Sequence, residues 1–429
     1  YHPTDNPSGI INLGVAENWL MRDTLVNYLA PRVKITGDQL GYGSDTCGSP
    51  QLRSLIAQLF NDHFQPGLRI EADHVSVHNG TSSVIDIVSY VVCDPGDIIL
   101  AAAPYYGGFN FDTFSRSGVR MLPVPMTPNQ MMDPDEHIRL MEAAFQQQQQ
   151  QQTTVPGTGE PNKARVRAII FTNPHNPFGL CHPRVLIEQL LRFAQRHHLH
   201  ILFDEIYALS GFASDINALK GSVQLDTSFH SALSINHDRL TELIDPSLVH
   251  VLHGMSKDFG SGGLRIGYLV SPWNPTFRAA VRSVAAFSWF SGTAEQIAMQ
   301  YLSDPVWRDG YLADNRRALA RAYVTTAGFL VCHGIPFVPA RAGPFIWLDL
   351  RSYGPPPPTG RPTSPGVMGV APGRRIHSVS TLMEQLYQAG VYLAPGYGFE
   401  ASEPGWFRLT FANPPEVMAE ALVRLRQAL

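Results

Sequence analysis

The segment Gly254-Met255-Ser256-Lys257-Asp258-Phe259-Gly260 follows an apolar run that ends at Leu252. Such a run is typical of a buried strand, and small residues around a lysine at its end let the amine enter a cavity. Removal of an amine from water disfavours its charged form, which lowers the pKa and makes the amine a nucleophile for carbonyl carbon. A lysine in a glycine-rich loop is otherwise typical of a solvated surface, so the interpretation depends on the residues that accompany it.

Strands and helices alternate on both sides of this segment. The candidate strands are His74–His78, Ile98–Ala102, Ala168–Thr172, Ile201–Phe203, Leu248–Leu252 and Ile266–Val270. Between two of these strands, Val185–His197 repeats apolar residues at helical spacing. This alternation predicts an α/β fold whose mostly parallel sheet is covered by helices on both faces. We expect an N-terminal segment over residues 1–46, a large domain over 47–302 and a smaller C-terminal domain over 303–429.

The bulk composition is that of an ordinary globular protein, with 44% hydrophobic and 16% charged residues in a chain of 429. A formal net charge of −4 gives no reason to expect a nucleic acid or an anionic membrane as a partner. No apolar run approaches the roughly 18 residues of a membrane span.

The four cysteines form no C-x-x-C pair, which favours free thiols in a reducing compartment and a cytoplasmic location. We expect no metal, because the histidines at 197, 198 and 200 are more simply explained as polar residues between a helix and a strand.

Two segments have compositions that do not build a packed core. Gln146–Gln152 is a glutamine run that leads into a Thr/Pro/Gly-rich stretch, and Gly354–Arg374 is dominated by Pro, Gly and Ser. We expect both to be surface loops, the second an insertion at about residues 354–374 of an α+β C-terminal domain.

Two further segments could bind an anion near Lys257. Asn79-Gly80-Thr81-Ser82-Ser83 lies where a strand meets a predicted helix, and a helix N-terminus with glycine and hydroxyl groups favours an anion. The same hydroxyl groups are equally typical of helix caps. Arg265 follows Lys257 by eight residues, and its guanidinium is suited to bidentate contact with a phosphate.

Polar residues also lie at the ends of other predicted strands. Asp204 ends Ile201–Phe203, where a carboxylate points into the usual ligand crevice of an α/β sheet or caps the next turn. Asn173–Gly179 is a second strand-end turn, and its two Asn-Pro bonds are candidates for cis peptides. Arg408 is a lone cation in an apolar strand, so it is either a snorkelling surface residue or a clamp for a substrate carboxylate.

Taken in order, these segments resemble the class I/II aminotransferase superfamily, and in particular its branch similar to 1-aminocyclopropane-1-carboxylate synthase. The resemblance covers nearly the whole chain and rests on Leu13–Leu20, Asn173–Gly179, Asp204–Tyr207, Ser256–Gly260, Arg265 and Phe407–Asn413. It implies the pyridoxal-phosphate fold type I, with a mostly parallel seven-stranded sheet between helices and a smaller α+β C-terminal domain. It also implies a pyridoxal 5'-phosphate cofactor and an amino-acid substrate, and the low-complexity segments suggest a fungal protein.

The resemblance implies a role for each residue at the cofactor. Lys257 would hold the cofactor as a Schiff base and then remove the Cα proton of the substrate. Asp204 would pair with the pyridine nitrogen, and Tyr106 would stack on the ring. The residues that would bind the phosphate are Gly80, Thr81, Ser82 and Arg265, and those that would donate to the ring oxygen are Asn176 and Tyr207.

The resemblance also implies contacts with the substrate and with a second subunit. Arg408 would bind the α-carboxylate of the substrate, and Glu17 would lie near its side chain, although Glu17 is equally well explained as a helix cap. Tyr42 resembles a tyrosine that reaches the cofactor phosphate of a neighbouring subunit, which implies a homodimer with shared active sites. The N-terminal segment would then pack on the small domain and on the partner subunit.

One departure from the family pattern concerns the phosphate site. The family usually has a serine three residues before the lysine, and this chain has Gly254. Loss of one charge-assisted hydrogen bond, worth about 1.5–3 kcal/mol, predicts weaker cofactor binding.

These observations predict an enzyme that acts at the α-carbon of an amino acid in secondary or amino-acid metabolism. We expect transamination, or β- or γ-elimination of the carbon–sulfur lyase type. A true 1-aminocyclopropane-1-carboxylate synthase that uses S-adenosylmethionine is an alternative, which Glu17 would support. A noncatalytic relic of the fold that acts as an interaction module is a second alternative, and the presence of both Lys257 and Asp204 disfavours it.

Overall fold

The structure is a computed structural model that describes residues 1–43, 45–150, 164–220, 228–353 and 372–429. Its strands are β1 (Ile11–Asn12), β2 (Val75–Asn79), β3 (Ile98–Ala103), β4 (Arg120–Pro125), β5 (Val166–Thr172), β6 (His200–Asp204), β7 (Val249–Gly254), β8 (Ile266–Val270), β9 (Phe337–Val338), β10 (Phe345–Asp349), β11 (Val391–Tyr392), β12 (Ala394–Pro395) and β13 (Trp406–Thr410). Its α-helices are α1 (Arg22–Leu29), α2 (Pro50–His63), α3 (Thr81–Val92), α4 (Gly108–Phe114), α5 (Pro128–Met132), α6 (Pro134–Gln150), α7 (Arg184–His197), α8 (Ala213–Lys220), α9 (His237–Leu243), α10 (Pro275–Val284), α11 (Gly292–Leu302), α12 (Pro305–Cys332), α13 (Pro372–Gln388) and α14 (Pro415–Ala428).

The large sheet has, among the described residues, seven strands in the order β2-β8-β7-β6-β5-β3-β4. Neighbouring strands from β7 through β6, β5 and β3 to β4 are parallel, whereas β8 runs antiparallel to β7 and β2. Strands such as β7 and β8 are buried along their whole length, which explains why they are nearly continuous apolar runs. The predicted mostly parallel sheet of seven strands is confirmed.

The register of three parallel strands brings their carboxyl ends to one edge of the sheet. Thr172 of β5 lies opposite Asp204 of β6, which in turn lies opposite Leu252 of β7. The segments that follow these strands therefore leave the sheet side by side. They are the turn that contains Asn176, the turn after Asp204 and the loop that contains Lys257.

β4 was not among the predicted strands. It contains Pro123 and Pro125, and proline argues against a strand because it cannot donate a backbone hydrogen bond. β4 tolerates these residues because, in the part of the chain that the structure describes, it is the last strand of the sheet and pairs with β3 alone. All six predicted strands are present. Ile266–Val270 matches its prediction, and the other five have ends shifted by one or two residues.

A second sheet lies in the C-terminal part of the described chain. Its four strands have the order β12-β13-β10-β9, and neighbouring strands are antiparallel. β1 pairs in parallel with β11, so the N-terminal segment packs on this part of the molecule. Helices α12, α13 and α14 complete the expected smaller α+β unit. The boundaries near residues 46 and 302 stay predictions.

The helices agree with the predicted pattern except at the low-complexity segments. α7 buries Leu186, Leu190 and Phe193, as the apolar spacing of this stretch predicted. Gln146–Gln150 form the last part of α6 rather than a loop, because glutamine has a good helix propensity and earlier turns of α6 are anchored in the core. Residues 151–152 and 354–371 lie outside the described part, and residues 372–374 begin α13.

Candidate active site

A cavity of about 400 Å³ lies at the carboxyl edge of the large sheet, where the two sheets meet. The predicted site residues in its lining are Glu17, Thr81, Ser82, Tyr106, Asn176, Asp204, Tyr207, Lys257, Arg265 and Arg408. Gly80 precedes Thr81 directly, whereas Tyr42 lies outside the cavity. The structure therefore brings together residues that are spread from the first to the last part of the chain.

Lys257 enters the cavity from the loop that follows β7. Its Nζ donates a 2.7 Å hydrogen bond to the carbonyl oxygen of Ala16. Burial lowers the pKa of this amine to about 8, and the positive charge of Arg408 acts in the same direction. Glu17 and Asp204 raise it. The amine is therefore much closer to its neutral, nucleophilic form at physiological pH than an exposed lysine.

Asp204 ends β6 and is buried in the base of the cavity. Burial raises the pKa of its carboxyl to about 7, while a backbone hydrogen bond from Ile206 and the charge of Lys257 lower it. The amide of Ile206 donates to Oδ1 at 3.2 Å, so Asp204 also stabilises the turn after the strand. A carboxylate held this deeply favours a cationic partner.

Arg408 on β13 is buried, so the alternative of a snorkelling surface residue is wrong. Its guanidinium donates to Oδ1 of Asn176 at 2.9 Å and to the carbonyl oxygen of Gly14 at 2.6 Å. The guanidinium carbon lies 4.7 Å from the ring centroid of Phe399. Its Nε has no hydrogen-bond partner among the described residues. These contacts direct the guanidinium of Arg408 towards the cavity and leave its Nε–H available to donate a hydrogen bond.

At the other end of the cavity, α3 begins with Thr81 and Ser82 beside Arg265. Gly80 adopts φ +84°, and a Cβ added there would lie 2.3 Å from Nη2 of Arg265. Only glycine therefore lets the guanidinium approach the start of the helix this closely. The helix N-terminus and the guanidinium together create a positive region suited to an anion.

Residue 254 is a glycine, where the family usually has a serine, because local packing requires it. A Cβ at this position would lie 2.8 Å from the carbonyl oxygen of Ile266 and 3.1 Å from Cγ2 of Thr81. The carbonyl oxygen of Ile266 also accepts a 3.0 Å hydrogen bond from the amide of Met255. The close approach of β7 and β8 therefore leaves no space for a side chain at residue 254.

The predicted tyrosines differ in their positions. Tyr207 is buried with its ring edge-on to Phe345 at 5.2 Å, and burial raises the pKa of its hydroxyl. Tyr106 is 41% exposed and borders the cavity opening. Tyr42 is 88% exposed and stacks on Trp289 at 5.8 Å. The structure does not bring Tyr42 to the cavity of its own chain.

A buried polar network lies behind Lys257 and was not predicted. Nε2 of His253 lies 2.8 Å from Oδ2 of Asp258, and Nδ1 lies 2.7 Å from the hydroxyl oxygen of Tyr268. The amide of Leu209 also donates to Oδ2 of Asp258 at 2.9 Å. Because Asp258 is the next residue after Lys257, this network fixes the backbone that carries the amine.

Sequence reasoning also missed Asp112, which lies in the cavity lining together with Ser256. Asp112 is on α4, three residues after Phe109, and both side chains are buried on the inward face of that helix. A carboxylate at helical spacing from a core aromatic residue is the signal that could have revealed it. Both Asn-Pro bonds of the turn at residues 173–179 are cis, as predicted.

The histidines considered as metal ligands have other contacts. Nε2 of His197 lies 3.0 Å from Glu142, and His200 lies 3.0 Å from His250. Within the described ranges, no group of three or more His, Cys, Asp or Glu side chains is arranged to hold a metal ion. In the same part of the chain, every helix is too short or too polar to cross a bilayer.

Comparisons with known proteins identify the family of this chain. The family model for aminotransferase class I and II matches residues 8–425. A protein named "Probable aminotransferase gliI" from Aspergillus fumigatus is 33% identical over 429 residues, which cover 98% of this chain and 89% of that protein. The 1-aminocyclopropane-1-carboxylate synthase-like protein 1 of Bos taurus is 30% identical and is covered to 78%, with 100% of this chain.

Solved structures show the same fold. A double mutant of the aspartate aminotransferase of Thermus thermophilus superposes with a TM-score of 0.70 at 20% identity, covering 98% of this chain and 92% of that one. This similarity confirms the expected fold type I architecture. The chain therefore belongs to the aminotransferase class I and II family, resembles its 1-aminocyclopropane-1-carboxylate synthase-like members, and is a pyridoxal-phosphate-dependent enzyme.

Proposed function

We propose that this enzyme acts at the α-carbon of an amino acid and catalyses transamination or β- or γ-elimination of the carbon–sulfur lyase type. One observation carries the proposal. Lys257, an amine of lowered pKa, shares a cavity with a buried carboxylate, Asp204, and a buried guanidinium, Arg408. Binding of a substrate carboxylate and transfer of a Cα proton need these groups together.

The residues fit a phosphorylated pyridine cofactor. The start of α3 and Arg265 suit its phosphate, and Gly80 leaves the space that this arrangement needs. Asp204 suits a protonated ring nitrogen, since burial disfavours an isolated carboxylate and a cationic partner would stabilise it. The Oδ1 atom of Asn176 accepts from Arg408, which leaves the amide nitrogen as a donor for the ring oxygen.

When bound, the cofactor supplies an electron sink for the negative charge that forms at the substrate α-carbon. Lys257 then holds and moves the Cα proton, because a buried amine with a pKa of about 8 can both accept and return a proton near neutral pH. Asp204 would hold a protonated ring nitrogen at the end of β6. Tyr207 lies beside the same cavity with a neutral hydroxyl, because burial raises its pKa, and it acts as a donor.

Arg408 orients the substrate. Its guanidinium already has the carbonyl oxygen of Gly14 and the amide oxygen of Asn176 as partners, and Nε is free to donate. A substrate α-carboxylate would give this cation an anionic partner, which none of the described residues supplies. Bidentate contact of this kind fixes rotation about the bond to the α-carbon, which aligns the Cα–H bond for removal.

Glu17 bears on the choice between reactions. It lines the cavity next to Ala16, whose carbonyl accepts from Lys257, and its charge raises the lysine pKa. A carboxylate at this place would attract a substrate with a cationic side chain. That property supports the alternative of a cyclopropane-forming reaction on the sulfonium of S-adenosylmethionine.

Product analysis tests the proposal. The purified protein is mixed with pyridoxal phosphate and with amino acids, their sulfur conjugates and S-adenosylmethionine. Transamination gives an α-keto acid and leaves the amino group on the cofactor. Elimination gives a keto acid together with ammonia and, from a sulfur conjugate, the released thiol. The synthase alternative gives a cyclopropane amino acid and releases a thioether. Lys257→Ala serves as the control, and we expect it to lose both the products and the visible absorption band of the bound cofactor. Folded protein that never gains this band would refute the proposal and favour a noncatalytic role.

A further inference from the structure

Asp112 is an acidic side chain in the cavity to which the proposed mechanism gives no role. It lies on α4, is 8% exposed, and borders the same cavity as Ser82 and Arg265. Its Oδ2 atom has no hydrogen-bond partner among the described residues. A buried carboxylate oxygen without a donor is costly, so its presence calls for a physical reason.

The groups that face Asp112 come from four other parts of the chain. α3 contributes the hydroxyl of Ser82 and the carboxylate of Asp86, and the segment before β8 contributes Arg265. The loop before α4 contributes Tyr106, and the end of β6 contributes Asp204. Asp86 is already paired with Arg116 at 2.6 Å. Arg265 is therefore the cation that Asp112 and a bound phosphate would have to share.

We propose that Asp112 takes up a proton from solvent when the phosphate of the cofactor binds beside it, so that the protonated carboxyl becomes a donor at the phosphate end of the cavity. This inference rests on the proposed cofactor site. It assigns to Oδ2 of Asp112 a partner that the described residues do not supply. A merely structural aspartate would affect folding stability but would take up no proton on phosphate binding.

The sign of the pH dependence follows from the charges. Burial, the largest cause, raises the pKa of Asp112 to about 6 before a phosphate is present. A phosphate dianion in the same buried site raises it further, since two like charges disfavour each other. At a pH between the pKa of Asp112 in the free protein and its higher pKa in the phosphate-bound protein, binding of the phosphate takes up one proton. In that range the affinity for the phosphate falls by up to about tenfold for each unit that pH rises. Below both pKa values Asp112 is protonated before and after binding, so it does not make the affinity depend on pH.

Calorimetric titration of the cofactor-free full chain tests this proposal. Pyridoxal phosphate and pyridoxal are each titrated near neutral pH in two buffers that differ in ionisation enthalpy, which gives the number of protons taken up. Pyridoxal lacks the phosphate but uses the same lysine, so the difference between the two ligands isolates the phosphate end. We expect the wild-type chain to take up close to one additional proton with pyridoxal phosphate.

Two variants locate that proton. Asp112→Asn should abolish the difference between the ligands and bind pyridoxal phosphate at least as tightly as wild type. Asp86→Asn removes the neighbouring carboxylate outside the cavity and should retain the difference. If Asp112→Asn does not fold, Asp112→Ser is measured instead. An equal uptake for both ligands in the wild type, or an additional proton that persists without Asp112, overturns the inference. If neither ligand binds through Lys257, the proposed function itself fails.

Discussion

Arg408 on β13 donates a 2.9 Å hydrogen bond to Oδ1 of Asn176, although 232 residues separate the two in the chain. Asn176 belongs to the turn after β5 of the large sheet, and Arg408 belongs to the smaller C-terminal sheet. Both side chains are buried. This contact fixes the proposed carboxylate site to the proposed cofactor site across the boundary between the two sheets.

Replacement of Arg408 by lysine should impair substrate binding. Lysine lacks the planar fork, so it cannot contact Asn176, Gly14 and a carboxylate together. Loss of one charge-assisted hydrogen bond, about 1.5–3 kcal/mol, predicts a rise in KM of about 10- to 150-fold for the amino acid that the product assay identifies. Steady-state kinetics measure it, with the exposed Arg196→Lys as the matched control. An unchanged KM would exclude Arg408 from the carboxylate site.

The amine of Lys257 should react with carbonyl compounds at lower pH than an ordinary lysine. Its pKa of about 8 means that the neutral amine accumulates as pH rises through about 8 and is complete above it. The association rate of pyridoxal, followed by visible absorbance, should therefore rise through that pH and then level off. Because Glu17 raises this pKa, Glu17→Gln should move the midpoint to lower pH. A rate that still rises steeply well above pH 9 would contradict the lowered pKa, since an ordinary lysine titrates at about 10.4.

Replacement of Gly254 by the serine that the family usually has should lower the free energy of unfolding. Gly254→Ser places a Cβ 2.8 Å from the carbonyl oxygen of Ile266, and overpacking of this kind costs about 1–3 kcal/mol of the free energy of unfolding. Gly328→Ala on the exposed face of α12 meets no atom within 4 Å and is the control, expected to gain about 0.5–1 kcal/mol. Chemical denaturation gives both values. A Gly254→Ser variant as stable as the wild type would show that β7 and β8 can separate at this point.

The pair of His253 and Asp258 should contribute strongly to stability. Both side chains are fully buried, and removal of one partner leaves the other without a hydrogen bond, at a cost of about 1–3 kcal/mol. Asp258→Ala should lower the free energy of unfolding by this amount, whereas the exposed Asp238→Ala should change it by less than about 0.5 kcal/mol. Urea denaturation followed by circular dichroism compares the two variants. A small effect of Asp258→Ala would mean that the network does not hold the loop of Lys257.

We propose that the active unit is a homodimer in which Tyr42 completes the partner's cavity, which is consistent with its 88% exposure beside Trp289. Mixed dimers test this proposal. A Lys257→Ala subunit paired with a Tyr42→Ala subunit contains one cavity with both residues, so activity should return towards half of the wild-type value. Each variant alone should be impaired, and sedimentation should show a dimer for both. A mixture no more active than its parts would contradict the shared site.

Much of this fold is encoded locally. The buried strands are short apolar runs, and the amphipathic pattern of α7 needs no knowledge of the rest of the chain. The order of the segments around Lys257, Asp204, Asn176 and Arg265 is enough to predict the family. These features could be predicted because periodicity and the residue types at strand ends are properties of neighbouring residues.

The remaining features depend on groups that are far apart in sequence. β4 forms despite its prolines because it lies at an edge of the sheet, and Gly254 is required because β8 packs closely against β7. Neither the burial of Arg408 nor the contact of Asp112 with Ser82 follows from the order of residues, although the helical spacing from Phe109 predicts an inward side chain at residue 112. Burial and the identity of a side chain's partners set its pKa and its hydrogen bonds. Only the tertiary structure determines both, since they arise where distant strands and helices meet.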